Sequence, residues 1–401
     1  MRWSVGAFLL IGVAQTGIAS AQEPGEPGSR AAVIEQAEAA KAEQLTPAAP
    51  GKAEAYVTRI SDVFLNGQIH WHLFWQNAYS GGGFTLGAGY LHHVSSYNFL
   101  DVRGSVTFSG YKRAEAEFIA PELFARRGRL SVLGGWREAT AVNFYGIGQT
   151  TTQENLVNYG FTQPYLGANL EVFPTKELFT VAGGVEVSQW NQGAGSGSSP
   201  SVEQKYTPAT LPGLGAAPVY LHSQATIGLD SRPARGYTRR GGFYGVTVHD
   251  YTDKDGAFGF NQVDYTAIQH VPILREAWVL SFRGRVTTSS AKTDQRVPFF
   301  MTPSLGSGST LRAYPTRRFR GEDTLLLQAE WRIMVNRFMD TAIFYDAGKA
   351  VQDEGDLDFD HLKTDFGFGV RLHGPFRTLL RVDVAKGSEG YRFISSVGPV
   401  F

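Results

Sequence analysis

The most regular feature of the chain is an alternation of apolar and polar residues near its C-terminal end. Between Lys363 and His373 the odd positions carry charged residues, glycine or histidine, and the even positions are Thr364, Phe366, Phe368, Val370 and Leu372. Because successive side chains of a β-strand point to opposite faces, this pattern predicts a strand with one apolar and one polar face. The same alternation recurs at 324–335 and at 376–384.

Clusters of glycine, asparagine and aspartate divide residues 56–401 into about 16 stretches of roughly 8 to 15 residues, a length suited to tilted membrane strands. At 324–335 one face is apolar and the other includes Gln328, Glu330 and Arg332. The pattern predicts an all-β fold, a transmembrane antiparallel β-barrel of about 16 strands with lipid outside and a wet lumen inside. A soluble β-sandwich is the alternative, but it has to explain why so many outward faces lack charge.

The first 21 residues have the layout of a secretory signal peptide. Arg2 supplies a positive charge, residues 5–14 form a short apolar run, and Ala19-Ser20-Ala21 has the form of a cleavage site. A membrane-spanning helix needs about 20 apolar residues, so this run is too short to anchor the chain. Residues 1–21 are therefore predicted to be a signal peptide. An exported chain built of membrane strands is expected in the bacterial outer membrane.

Residues 22–55 are rich in alanine, glutamate and proline and are predicted to form a periplasmic segment with a short helix. Ser29 is a good N-cap, residues 30–44 have helical composition, and Pro47 ends the run. Two interpretations stand: a solvated helix or disordered tether, or a helix that lies in the lumen or binds a periplasmic partner. The barrel is assigned to residues 56–401.

Composition excludes several classes of function. Lys+Arg and Asp+Glu balance at 37 each, which argues against affinity for nucleic acid, and the lack of cysteine excludes disulfides and thiolate metal sites. His70, His72 and the His92-His93 pair have no serine in a recognisable nucleophile setting and no further metal ligands. No catalytic residue, metal or cofactor is predicted, and an outer-membrane lipid hydrolase is disfavoured.

A glycine-rich stretch at 306–310 precedes the sequence Leu311-Arg312-Ala313-Tyr314. The next predicted strand carries Glu330 on its inner face, and the strand after that carries Asp346. An arginine on a long loop can fold into the lumen and bind both carboxylates, because charge-assisted bidentate pairing would hold the loop inside the barrel. Arg312, Glu330 and Asp346 are therefore predicted to form a lumen-loop lock.

The last predicted strand contains Gly398 and Pro399 and ends in Phe401, with its aromatic residues facing outward. Proline cannot donate a ladder hydrogen bond, and glycine weakens pairing. One interpretation is a weak lateral seam between the first and last strands that opens to another chain or to lipid. The other is that Gly398 and Pro399 lie beyond the paired region.

In this context the sequence resembles the BamA/TamA superfamily of outer-membrane proteins, also called bacterial surface antigens. Leu311-Arg312-Ala313-Tyr314 is similar to the lumen-loop motif of the family, and Glu330 and Asp346 fall where the family places the acidic partners of the loop arginine. Further matching segments are Asp230-Ser231-Arg232-Pro233 with Gly236, Phe144-Tyr145-Gly146-Ile147-Gly148, Gly367-x-Gly369-x-Arg371, Gly374-Pro375 and the terminal Phe401. The resemblance covers most of residues 75–401 and implies a 16-stranded barrel.

The chain departs from the family at two points. Members that assemble or secrete proteins carry periplasmic POTRA domains, each far longer than residues 22–55. A barrel-only member is therefore expected, in which the client-capturing domains are either missing or supplied by a periplasmic partner. Ala313 replaces the glycine of the loop motif and excludes a backbone that needs positive φ there.

The resemblance implies a protein assembly or translocation barrel with outer-membrane or secreted client proteins, surrounded by outer-membrane lipid. The lock is either a movable gate or a static plug. The alternative function is a passive channel or a small-solute or lipid transporter, in which lumen charges such as Arg283, Arg285, Arg371 and Arg381 set the selectivity.

Overall fold

Residues that alternate in polarity form strands in which one face is exposed to the outside and the other is buried in a polar interior. A computed structural model describes residues 33, 34, 36, 37, 40, 70–175, 178–274 and 276–401. The chain divides into two compact units, Met1–Ala55 and Tyr56–Phe401. The second unit contains all the strands considered below.

The described strands follow one another in chain order. They are β1 Trp71–Leu73, β2 Thr85–His93, β3 Phe99–Thr107, β4 Lys112–Glu122, β5 Gly128–Phe144, β6 Val157–Val172, β7 Phe179–Gln189, β8 Asn191–Ala194, β9 Val219–Asp230, β10 Gly241–Asp253, β11 Phe260–Ile273, β12 Trp278–Ala291, β13 Ser304–Leu305, β14 Phe319–Arg320, β15 Asp323–Asn336, β16 Met339–Val351, β17 Lys363–His373, β18 Thr378–Gly387 and β19 Gly390–Ser396. Short helical turns lie at Leu123–Arg126, Gln153–Asn155, Val202–Gln204 and Glu354–Asp356.

The strands form one antiparallel meander, with β13 and β14 paired separately as a small hairpin. The segments β7 and β8 both pair with β6, at Tyr165–Val172 and at Tyr159–Thr162 respectively, and are separated only by Trp190. They are therefore two parts of one strand. Counted in this way, the described residues form a meander of sixteen strands, as the sequence pattern predicts.

The two faces of the meander differ in chemistry. Apolar side chains on the outer face remain exposed along most strands, and they include Val102, Leu166, Val185, Val187, Leu221, Ile227, Tyr244, Val248, Tyr265, Phe282, Ile343, Tyr345, Phe366, Phe368, Tyr391 and Phe393. The inner face carries buried polar side chains, among them Glu115, Gln163, Gln328, Glu330, Asp346, Arg371 and Asp383. An apolar outside around a polar inside is the arrangement of a membrane barrel, and we call the interior the lumen.

Strand β19 stops at one end of the barrel. At the opposite end, loops cover the lumen. They bring together a cluster of buried apolar side chains, which we call the apolar cap: Ala78, Tyr111, Ala139, Val142, Phe144, Val157, Tyr159, Phe161, Trp190, Val202, Leu211, Leu214, Tyr220, Phe260, Val297, Phe299 and Phe300. Arg320 is fully buried beside the cap, where it donates to the carbonyl oxygen of Phe299 (3.0 Å) and to the Tyr159 hydroxyl (3.1 Å). The cap is therefore a packed aromatic layer with a polar anchor.

In the first unit, the described residues 33, 34, 36, 37 and 40 are helical and exposed. They fall within the helix predicted at 30–44. The predicted signal peptide, the rest of residues 22–55 and the start of the predicted barrel at 56–69 lie outside the described residues. No helix among the described residues is long and apolar enough to cross a membrane.

The C-terminal residues differ from the predicted arrangement. Strand β19 ends at Ser396, and Gly398 has a φ of +88°, which turns the chain away from the sheet. Phe401 does not face outward: its ring stacks on His270 at a centroid distance of 6.0 Å and lies 5.4 Å from the guanidinium of Arg283. The prediction of an outward Phe401 is therefore wrong, because the backbone leaves the strand geometry on which the alternation depends.

The apolar outer face predicts how the stability of the barrel responds when a charged residue is introduced there. Val248 is exposed on the outer face of β10, opposite Val263 and Ala225. Val248→Arg should lower the free energy of unfolding in lipid vesicles by about 2–4 kcal/mol, because an arginine there would enter the hydrocarbon region. Gln224→Arg on the inner face is the control and should cost much less. Equal losses at both positions would contradict a lipid-facing outer surface.

Candidate functional site in the lumen

Residues 292–322 connect β12 to β15 and fold into the lumen; we call them the lumen loop. The β13–β14 hairpin pairs Leu305 with Phe319 at its base. Gly306 follows with a φ of +97°, and a Cβ there would collide with the carbonyl oxygen of Pro315. Glycine is therefore required where the loop turns. This turn directs the following segment, with Arg312, into the lumen.

Arg312 is fully buried and is held by two carboxylates on neighbouring strands. Its Nε and Nη2 donate to Asp346 Oδ2 and Oδ1 at 2.7 and 2.8 Å, and its Nη1 donates to Glu330 Oε2 at 2.8 Å. The guanidinium lies 3.4 Å from the centroid of the Phe344 ring. Bidentate pairing and stacking on an aromatic face both need the planar guanidinium, so lysine is a poor substitute at this position.

Glu330 is shared with a second arginine. Arg371 donates from Nη2 to Glu330 Oε2 at 2.8 Å and also forms a hydrogen bond with Asp383. The amide of Gln328 donates to Asp346 Oδ1 at 3.0 Å. Cations and carboxylates therefore alternate through the network. Removal of one partner would leave an uncompensated buried charge, which typically costs about 3–5 kcal/mol.

Two glycines of β17 make room for this network. A Cβ at Gly367 would lie 2.5 Å from Phe344 Cζ, and a Cβ at Gly369 would collide with Asp383 Oδ1. The spacing Gly367-x-Gly369-x-Arg371 thus places two empty positions and one arginine on the inner face of a single strand. The motif is explained by close packing, because neither glycine has positive φ.

Ala313 is accommodated although the related motif has glycine at that position. Its φ is not positive, and its N–H donates to Asp365 Oδ2 at 3.1 Å. The opposing residue is Gly387, where an added Cβ would lie 3.1 Å from the Ala313 Cβ. The space for the methyl group is therefore provided by a glycine on β18.

The remaining loop-motif residues connect the loop to the last hairpin. Leu311 is buried in an apolar cluster with Leu305, Phe319 and Leu326. The Tyr314 hydroxyl donates to the carbonyl oxygen of Thr364 at 3.1 Å and lies 3.0 Å from Ser388 Oγ. Arg392 of β19 forms a hydrogen bond with the carbonyl oxygen of Tyr314. The loop motif thus contacts β17, the β18–β19 turn and β19 itself.

The tip of the loop lies between the last strand and the C-terminal residues. Arg381 Nη2 donates to the Gly308 carbonyl oxygen at 2.6 Å, and a Cβ at Gly308 would lie 2.8 Å from Ile394 Cγ2 of β19. Arg283 donates from Nη2 to the Ser309 carbonyl oxygen at 2.6 Å and from Nη1 to the Val400 carbonyl oxygen at 3.3 Å. One arginine therefore bridges the loop tip and the C-terminal tail.

The structure brings Arg312, Glu330 and Asp346 together as one cluster. It places Gly398 just after β19, and Pro399 and Phe401 line a small lumen cavity of about 20 Å³ together with Glu330 and Arg371. Gly398, Pro399 and Phe401 are thus beyond the paired strand, as the second interpretation of this segment holds. The described residues contain no group of three or more histidine and carboxylate side chains that could hold a metal ion.

Sequence reasoning missed the supporting residues of the cluster, namely Gln328, Phe344, Asp365 and the connecting role of Asp383. Asp383 and Gln328 lie on inner faces that the alternation identifies. Their signal was therefore present, but alternation alone does not show which inner charges meet, because that depends on the register between strands.

A family model for the Omp85 superfamily domain matches residues 98–398. Among solved structures, the chain is similar to BamA from Haemophilus ducreyi lacking POTRA domains 1–3, with 14% identity over 79% of this chain and 68% of that chain, at a TM-score of 0.61. It is also similar to CdiB from Escherichia coli, with 10% identity over 82% of this chain and 59% of that chain, at a TM-score of 0.52. No curated protein shows significant sequence similarity. At these identities the structural matches establish the fold.

The pairing of Arg312 with Asp346 can be measured with a double-mutant cycle. Arg312→Gln and Asp346→Asn should each lower the free energy of unfolding by about 3–5 kcal/mol, since each leaves a buried group without its partner. The double variant should lose clearly less than the sum. The control cycle combines Arg312→Gln with Asp264→Asn. Asp264 pairs with Arg285 elsewhere in the lumen, so the two losses in free energy should be additive. Additivity in both cycles would contradict the pairing.

Gly369→Ala should destabilise the barrel by roughly 1–3 kcal/mol, the usual cost of overpacking, because the new methyl group collides with Asp383. Gly374→Ala is a matched control, since a Cβ at Gly374 meets nothing within 4 Å. Thermal unfolding of both variants provides the measurement. A Gly369→Ala protein as stable as Gly374→Ala would show that the space beside Asp383 is not needed.

Proposed function

Because the chain belongs to the Omp85 superfamily of outer-membrane β-barrels, we propose that it is a protein assembly or translocation barrel of the bacterial outer membrane. In this proposal the lumen loop controls a lateral seam between β1 and β19. The observation that carries it is the direct contact between the loop that bears Arg312 and the last strand, through Gly308 and Ile394.

In this proposal the pairing of Arg312 with its two carboxylates stabilises one position of the lumen loop. Arg312 is bound by both Asp346 and Glu330, so the loop is held at a defined depth in the lumen. The same loop is bound to β19 by the hydrogen bond between Arg392 and Tyr314. A movement of the loop would therefore change the support of the last strand. This coupling supports a gate over a static plug.

Among the described residues, the strands on either side of the proposed seam are short. There, β1 has three register pairs with β2, from Trp71 to Leu73, and β19 has seven with β18. Pro399 has no N–H to donate beyond the end of β19, and the chain turns at Gly398. If the seam opens, the backbone groups of β19 that face it become free to pair with an incoming strand.

Client strands would supply the driving force, because their apolar faces are buried in lipid and their backbone groups become paired. The proposed partners are outer-membrane or secreted client proteins and a periplasmic protein that delivers them. No catalytic step, nucleotide or metal is assigned to the chain in this mechanism.

The alternative of a passive channel has less support. The apolar cap covers one end of the lumen, and the loop occupies the lumen below it. Arg371 and Arg381, two of the charges that would set selectivity, contact the lock and the loop. A channel would require both obstructions to move.

In-cell photo-crosslinking from Val397, which is exposed beside the seam, tests the proposal. A probe at this position should form adducts with other outer-membrane proteins. Ile227 is equally exposed on β9, far from β19 in the meander, and serves as the matched control. Adducts to lipid alone at both positions would contradict a gate that handles client strands.

A reversible tether tests the role of the loop in the same experiment. The chain has no cysteine, so Gly308→Cys with Ile394→Cys can join the loop tip to β19 under oxidation. Thr226→Cys with Thr247→Cys, whose hydroxyl oxygens lie 2.9 Å apart on β9 and β10, is the control tether. Client adducts at Val397 should fall with the first tether and recover on reduction, and should persist with the second. Equal effects would exclude control by the loop.

A further inference from the structure

A basic cavity lies at the end of the barrel where β19 stops. It has a volume of about 660 Å³ and lies between the β4–β5 turn and the β9–β10 connection. Arg126 and Arg127 line it from the turn, and Arg232 and Arg235 line it from the connection. Among the described residues, Asp230 is the only carboxylate that lines this cavity.

Two of the four arginines are held in place by carboxylates. Arg232 donates from Nε and Nη2 to both oxygens of Asp230, at 2.9 and 3.0 Å. Arg235 approaches Asp230 Oδ2 at 3.0 Å and Glu171 at 3.3 Å. The Asp230-Ser231-Arg232 motif thus orients guanidinium groups at the rim of the cavity. Nothing in the lock or the seam uses this motif.

The positive charges of the other two arginines, Arg126 and Arg127, are only weakly neutralised by neighbouring carboxylates. Arg127 is exposed and forms no ion pair with any described residue. Arg126 has one weak partner, Glu122 at 3.2 Å, and its side chain is 74% exposed. Counted over the described residues, the four arginines exceed their three carboxylate partners Asp230, Glu171 and Glu122, so the site has a surplus of donors for an anion.

The turn that carries Arg126 and Arg127 also presents an apolar side chain at its tip. Phe124 is 62% exposed. Phe124, Ala125 and Arg126 have φ values of 53°, 56° and 69°, a left-handed conformation that is unfavourable for residues with a Cβ. Such strained segments concentrate where ligands bind. An exposed aromatic ring next to arginines is suited to the boundary between the acyl chains and the headgroups of a membrane.

We propose that this cavity binds the phosphate headgroup of an anionic phospholipid. Arg126 and Arg127 would donate to the phosphate oxygens, because guanidinium groups match phosphate in planar, bidentate geometry. Arg232 and Arg235 would add positive potential from the opposite wall, and Phe124 would contact the acyl chains. The lipid is favoured over free phosphate because the exposed ring adjoins the charges, and because anionic membrane surfaces attract arginine clusters.

Native mass spectrometry of the full chain in neutral detergent tests the site, with dihexanoyl phosphatidylglycerol as the probe. Wild-type protein should bind it saturably and at least tenfold more tightly than dihexanoyl phosphatidylcholine. Arg126→Gln with Arg127→Gln should weaken binding about tenfold or more, the loss expected for two charges near an anionic headgroup. Arg240→Gln, an exposed arginine at the same end paired with Glu276, is the control and should leave binding unchanged.

Three results would overturn the proposal. Equal affinity for the two lipids in the wild-type protein would exclude recognition of the negative headgroup, and this comparison does not depend on how the variants fold. Competition by inorganic phosphate at concentrations similar to those of the lipid would assign the site to the free anion. Unchanged lipid binding by an Arg126→Gln, Arg127→Gln protein with wild-type thermal unfolding would place any lipid elsewhere.

Discussion

The buried guanidinium of Arg312 is the constraint around which the interior is organised. An isolated charge inside a barrel with an apolar cap is costly, so its position requires Asp346 and Glu330 on adjacent strands at matching heights. Glu330 is paired in turn with Arg371, and Arg371 is paired with Asp383. The small residues of β17 follow from the same requirement, because the network fills the space that side chains at 367 and 369 would occupy.

The loop that carries Arg312 also contacts the last strand of the sheet. Tyr314 reaches the β18–β19 turn, and Gly308 lies against Ile394, so β19 is supported from inside. The C-terminal tail joins the same set of contacts through Arg283. Specific contacts therefore join the loop to the last strand, and the proposed gate rests on these contacts. The basic cavity at the rim is separate from these contacts.

Several expectations from sequence are confirmed. The sixteen-strand antiparallel architecture follows from alternation and turn spacing, and the motif-based resemblance to the BamA/TamA superfamily is matched by the Omp85 domain at residues 98–398 and by the BamA-like fold. The outward position of Phe401 is wrong, since alternation stops where the strand stops. The seam, the lock as a functional device and the role of residues 22–55 remain predictions.

The sequence by itself determined the strands, their two faces and the family, because alternation and short motifs are local properties of the chain. It also identified Arg312, Glu330 and Asp346, since the resemblance of the loop motif to that of the family and the inner-face positions of the two carboxylates point to the same residues. Only the tertiary structure decided that Arg371 and Asp383 complete the cluster, that Gly387 accommodates Ala313, and that the C-terminal tail enters the lumen. These contacts join residues far apart in sequence, and they depend on strand register and loop path, which no local pattern specifies.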